Sequence, residues 1–269
     1  MKQPFLFALP VVCLLTAPLW ANDWPQFRYD SGRTAASPHE LPADLQLRWT
    51  RKLPAPRPAF PFELRLGYDA SYEPVVLGNT MFVPSMVTDS VTALDAETGA
   101  ERWRFFAEAP VRFAPAASEG KVYFVSDDGY LYCLDADDGS LRWKFRGLPE
   151  GQAERKVIGH GRLASLHPAR GGPVLADGVV YFAAGLWPTE GVFVHALDAE
   201  SGAVVWSNTE VDRIPASNWD HGIGCDAGLT PQGYLAIVGE RLIVPCGTQL
   251  PAFLDRKTGR LQTYTTGWG

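Results

Sequence analysis

The sequence predicts an all-β fold, a β-propeller of four-stranded antiparallel blades. Three observations predict it: a motif that recurs at blade-like intervals, segments of strand length with period-two alternation, and turn residues scattered along the whole chain. The 22 prolines and 26 glycines among 269 residues punctuate many short elements and form no flexible tract. With 46% hydrophobic and 20% charged residues, the chain can bury a large core, which excludes a disordered or collagen-like polymer. A formal net charge of -6 without a long run of one sign leaves no electrostatic footprint for nucleic acid or anionic lipid.

The first segment reads as a targeting signal. Lys2 supplies a positive start, Phe5 to Leu15 an apolar core, and Leu19-Trp20-Ala21 a cleavage site before Asn22. Residues 1–21 are therefore expected to be a signal peptide, and residues 22–269 a periplasmic or secreted propeller. A membrane anchor would need ~20 apolar residues, whereas Pro10 and Pro18 interrupt this stretch. Cys13 follows Val11-Val12 and lacks the small residues of a lipidation site. Without residues 1–21, Cys133, Cys225 and Cys246 remain. Three thiols cannot all pair, so apolar packing rather than a disulfide framework must hold the fold.

The repeat sets the architecture. Ala93-Leu94-Asp95-Ala96-Glu97-Thr98-Gly99-Ala100-Glu101-Arg102-Trp103 recurs as Cys133-Leu134-Asp135 to Gly139 and Trp143, and as Ala196-Leu197-Asp198 to Gly202 and Trp206. A decayed copy runs from Phe253-Leu254-Asp255 to Gly259, with Thr263 in the tryptophan position. The unit corresponds to one four-stranded blade of roughly 40 to 50 residues, with insertions in the later copies.

The second copy shows the strands most plainly. Pro115 to Ser118 reads as a short inner strand, Glu119-Gly120 as a turn, and Val122 to Val125 as the next strand. Asp127-Asp128-Gly129 makes a hairpin into Tyr130 to Leu134. In the outer strand Leu141, Trp143 and Phe145 share one face, and Arg142 and Lys144 the other. Between the third and fourth strands the aspartate can accept hydrogen bonds from the turn, and the glycine can take a left-handed conformation.

The pattern Ala-x-Asp-x-x-x-Gly-x-x-x-Trp resembles the tryptophan-docking motif of the quinoprotein alcohol dehydrogenase-like, PQQ-like repeat propellers, over most of the mature chain. The opening Asp23-Trp24-Pro25-Gln26-Phe27-Arg28 is similar to bacterial envelope proteins with such repeats. The resemblance implies that Trp103, Trp143 and Trp206 pack between neighbouring blades. Units are expected at 70–106, 112–146, 172–208 and 228–266, after an isolated outer strand at Leu47-Arg48-Trp49. Because relatives close eight blades, these four are expected to be half of a ring; a four-bladed ring is the alternative.

Connections from an outer strand to the next inner strand emerge on one face of a propeller, so 50–70, 147–171 and 207–227 should cluster at one end of the channel. Rigidly held loops are where function concentrates. Lys156, His160, Arg162, His167 and Arg170 are candidates for a pocket that takes an anion or carbonyl group, their plainer reading being a solvated polar loop. In Ser217-Asn218-Trp219-Asp220-His221, the resemblance implies Asp220 as the general base of an alcohol oxidation, with Trp219 beside the cofactor. The plainer reading is that Trp219 plugs the loop onto the ring and Asp220 caps a turn. The enzymes of this family hold PQQ with calcium and carry a Cys-Cys disulfide, and no Cys-Cys pair occurs here. His221, Cys225 and Asp226 lack the spaced partner of a zinc site.

Three functions remain open: a non-catalytic binding or assembly platform in the cell envelope, a PQQ-dependent alcohol or sugar dehydrogenase or degenerate relative, and a sensor or carbohydrate-binding module. The expected partner is an envelope protein or a small ligand at the loop face.

Overall fold

The computed structural model describes residues 23–41, 43–63, 66–159, 161–213, 228–247 and 249–264. Its strands form four successive antiparallel sheets that follow the four sequence units. Sheet I contains β1 (Val75–Leu77), β2 (Thr80–Ser85), β3 (Ser90–Asp95) and β4 (Glu101–Phe106). Sheet II contains β5 (Ala116–Ser118), β6 (Lys121–Val125), β7 (Tyr130–Asp135) and β8 (Leu141–Arg146). A separate hairpin, β9 (Lys156–Gly159) and β10 (Arg162–Ser165), precedes sheet III. Sheet III contains β11 (Gly171–Ala176), β12 (Val179–Ala184), β13 (Phe193–Asp198) and β14 (Val204–Asn208). The short β15 (Gly233–Tyr234) joins β11 in parallel. Sheet IV contains β16 (Ala236–Val238), β17 (Arg241–Cys246), β18 (Gln249–Asp255) and β19 (Leu261–Thr263).

The repeated residues build one turn four times. In each sheet the pairing of the last two strands shifts at the same place, Ala93/Leu94, Cys133/Leu134, Ala196/Leu197 and Phe253/Leu254. Such a bulge bends the strand into the turn that follows. The aspartate carboxylate then accepts turn N–H groups, as Asp95 does from Thr98 at 2.9 Å and Asp255 from Thr258 at 2.9 Å. The glycines at the turn's end have φ of 71°, 74°, 72° and 71° for Gly99, Gly139, Gly202 and Gly259, a region other residues avoid.

Each turn also receives an indole from the preceding unit. The Trp103 ring lies where a Cβ on Gly139 would come within 2.6 Å of it, and its N–H donates to Ala136 O at 3.1 Å. Trp143 sits in the same way on Gly202 and reaches Glu200 O at 3.1 Å; Trp206 sits on Gly259 and reaches Arg256 O at 2.9 Å. Trp49, outside any strand, occupies the equivalent place on Gly99 and donates to Ala96 O at 3.0 Å. Middle strands supply the core. Phe82, Phe124, Phe182, Leu134, Leu197 and Leu254 are fully buried between sheets.

Residues 24–33 cross the inner strands of all four sheets. Trp24 bridges to Val76, Pro25 O accepts from Ala117 N at 2.8 Å, and the Gln26 amide pairs with both backbone groups of Leu175. Ser31 O accepts from Ile237 N at 2.8 Å, and the Arg33 guanidinium donates to Pro173 O and Leu235 O, each at 2.8 Å. Unpaired inner-strand edges are thereby satisfied, as buried backbone requires. The Phe27 ring stacks on Tyr234, centroids 3.6 Å apart.

Candidate functional site

The loop face carries a buried charge cluster assembled from four segments. Asp127 lies in the hairpin between β6 and β7, Arg112 in the connection from β4 to β5, Arg170 just before β11, and Asp69 in the segment leading into β1. Arg112 donates from Nε to Asp127 at 2.6 Å and from Nη1 to Asp69 at 2.7 Å and Arg57 O at 3.0 Å. Arg170 forks onto the same Asp127 carboxylate at 2.8 and 3.1 Å. None of the four side chains is more than 4% exposed. Burial alone would raise the Asp127 carboxyl, but Arg170 and Arg112 outweigh it and hold it below its ordinary value. Burial likewise opposes the charge on Arg112, and Asp127 with Asp69 reverses that effect and raises it. Asp69 Oδ1 and Arg170 Nη1 are buried without a hydrogen-bond partner among the described residues.

Asp128 plays a different part. It accepts from Tyr132 Oη at 2.6 Å, Tyr130 N at 3.0 Å and Glu108 N at 3.2 Å, and burial pushes its carboxyl up against those bonds. It fixes the hairpin.

The sequence candidates are only partly brought together. Arg170 belongs to the cluster. Arg162 instead pairs with Asp89 and donates to Val87 O at 3.1 Å, and Lys156 pairs with Glu108 at 2.9 Å. The buried His167 ring donates from Nε2 to Glu190 O at 2.6 Å, while Nδ1 has no partner. His160, Trp219 and Asp220 lie outside the described residues, as do His221, Cys225 and Asp226. Among the described residues no three His, Cys, Asp or Glu side chains converge as a metal site. Sequence reading missed Asp69, Arg112 and Asp127. The available signal was Arg112 between the apolar Val111 and Phe113, both buried, since a charge inside such a run needs a partner.

Beside the cluster the same face presents apolar side chains to solvent. Among the described residues the β9–β10 hairpin pairs with no other strand, and Ile158 is 84% and Leu163 54% exposed. Trp187 is 52% exposed next to the 3-10 turn Pro188–Glu190. Arg155 faces Glu190 at 3.8 Å and Leu166 N donates to Arg155 O at 2.7 Å, which brings the hairpin's base to that turn.

The family described as outer membrane protein assembly factor BamB has a sequence model that matches residues 42–167 and 90–266. The dehydrogenase subunit of alcohol dehydrogenase (quinone) from Gluconobacter oxydans (strain 621H) is 31% identical over 146 residues, 49% of this chain and 18% of its own length. Methanol dehydrogenase (cytochrome c) subunit 1 from Paracoccus denitrificans is 32% identical over 117 residues, 42% of this chain and 16% of its own. Among solved structures, the quinohemoprotein alcohol dehydrogenase from Comamonas testosteroni superposes with a TM-score of 0.63 at 23% identity, covering 90% of this chain and 41% of that one. A europium-containing methanol dehydrogenase gives 0.59 at 17% identity, covering 90% and 48%. The chain thus spans less than a fifth of the curated relatives it matches.

Proposed function

The chain belongs to the PQQ-like β-propeller family, and on that premise we propose that it serves as a binding or assembly platform in the cell envelope, reached by export. The observation that carries this reading is the apolar, open-edged β9–β10 hairpin beside Trp187. A two-stranded hairpin is marginal by itself. This one is tied to the body through Arg162–Asp89 and Lys156–Glu108, so it holds Ile158 and Leu163 out in a defined place. Exposed apolar side chains grouped on a rigid scaffold favour a protein partner, and the family whose sequence model matches this chain is described as an outer membrane protein assembly factor.

The test is a photo-crosslinking residue at Ile158 in the full-length protein, expressed in its native cells. One discrete adduct is expected, absent when the crosslinker replaces Val238, which is exposed in the hairpin at the opposite end of sheet IV. A pattern from Ile158 no different from that of Val238 would rule the surface out.

A second reading, a PQQ-dependent alcohol or sugar dehydrogenase or a degenerate relative, is favoured by the likeness of 49% of the chain to the dehydrogenase subunit of alcohol dehydrogenase (quinone). Asp220 would be its base. A robust alcohol-dependent turnover lost on Asp220→Asn would establish it over the platform.

A further inference from the structure

The cofactor of the dehydrogenase reading tests the loop face directly. PQQ is a tricarboxylate, and a buried trianion needs cations whose hydrogen-bonding edges are free. Here Asp69 and Asp127 balance Arg112 and Arg170 charge for charge. Arg170 has given its Nε and Nη2 edge to Asp127, and Arg112 is held by two carboxylates and the Arg57 carbonyl. Among the described residues, Arg170 Nη1 is the buried donor of the cluster left over.

Calcium fares no better at this cluster. It takes about 6–8 oxygen ligands, and both Asp127 oxygens and Asp69 Oδ2 already accept hydrogen bonds, leaving Asp69 Oδ1. The nearby aromatic face of Tyr234 is also taken. Tyr234, whose Oη accepts from Ala114 N at 3.1 Å, is covered by Phe27, and Gly233 N donates to Arg170 O at 3.1 Å.

We infer that the Asp69–Arg112–Asp127–Arg170 cluster is an internal substitute for an anionic ligand, with the Asp127 carboxylate in the place where two arginines would otherwise grip one, so that this cluster is closed to PQQ and other polyanions. The inference stands apart from the platform reading, which the crosslinking experiment judges separately. Its corollary is a latent anion site. Removing the Asp127 carboxylate by truncation to alanine leaves two guanidinium groups against one carboxylate, and a small anion can then take the vacated position.

The experiment compares wild type, Asp127→Ala and Asp69→Ala as full-length proteins, by calorimetric titration and thermal melting. Inorganic phosphate and PQQ with Ca²⁺ are the probes. Wild type is expected to show no saturable binding and no rise in melting temperature with either. Asp127→Ala is expected to melt lower and to recover part of the loss with phosphate, and Asp69→Ala to do so more weakly because it frees only Arg112. If Asp127→Ala does not fold, phosphate stabilisation of Asp69→Ala and the wild-type titrations decide the matter. Saturable one-to-one binding of PQQ by wild type would overturn the inference, as would variants that lose stability without any response to phosphate.

Discussion

The two ends of the propeller sheets are built on opposite plans. At the end that carries the turns between third and fourth strands, one arrangement is used four times: a bulge, an aspartate over the turn, a left-handed glycine, and an indole from the preceding unit. At the loop end, among the described residues, the charge cluster is built once. Its charges come from four connections of different length and sequence, and they neutralise one another under the surface. The repeated end works through contacts inside one turn plus one docking ring, and the fourth turn keeps both, with Trp206 on Gly259. The loop end depends on partners 15 and 43 residues apart, and removing one of them strands the others.

The sharpest way to break this contrast is Arg112→Leu. It leaves Asp69 and Asp127 short of a counter-charge in a buried place, a change that typically costs about 3–5 kcal/mol. Equilibrium denaturation is expected to show a loss in that range, against a much smaller one for Lys156→Leu, whose ion pair is exposed. Equal losses would mean that the cluster is not a structural keystone.

Between the two ends lies His195, which ties sheet III to sheet II through Nε2 and Gly147 O at 3.0 Å, with Nδ1 2.8 Å from Ser207 Oγ. Burial lowers its pKa to about 4, only partly offset by the Gly147 carbonyl. Its neutral form is therefore favoured on folding. The stability this contributes is present above the ordinary histidine value near 6.5 and is lost as pH falls toward 4. From the two values the contribution is about 3 kcal/mol. Melting profiles of wild type are expected to fall between pH 6.5 and 4 more steeply than those of His195→Gln, and parallel profiles would remove the assignment.

The smallest effect isolates the docking ring. Gly139 and Gly120 both sit at positive φ, 74° and 72°, but a Cβ on Gly139 would meet Trp103 at 2.6 Å whereas one on Gly120 meets nothing within 4 Å. Gly120→Ala should cost about 1 kcal/mol for the backbone alone, and Gly139→Ala about 1–3 kcal/mol more. A difference near zero in urea denaturation would show that the indole contact carries little.

Much of the fold was legible beforehand because propeller blades are written locally. The strands expected at Val122 to Val125 and Tyr130 to Leu134 are found as Lys121–Val125 and Tyr130–Asp135, and each of the four expected units holds one sheet. Leu47-Arg48-Trp49 is the exception: Trp49 takes the docking position without a strand around it. A tryptophan needs only a glycine surface and a carbonyl to dock, whereas a strand needs a neighbouring edge.

The site was legible only in outline. That the loop face would concentrate charge follows from topology and from Lys156, Arg162 and Arg170. That Arg170 would be neutralised by Asp127 does not, since Asp127-Asp128-Gly129 reads equally well as a plain hairpin turn. Nor does any local pattern announce that residues 24–33 cross four inner strands.

By itself the sequence determined the repeating sheet, its turns and its docking glycines, because hydrogen bonds and steric limits within a few residues suffice to specify them. Only the tertiary structure decided which charges cancel and what lies across the inner strands. Coulombic pairing and edge satisfaction depend on distances in space, and chain spacing does not encode those until the sheets have packed.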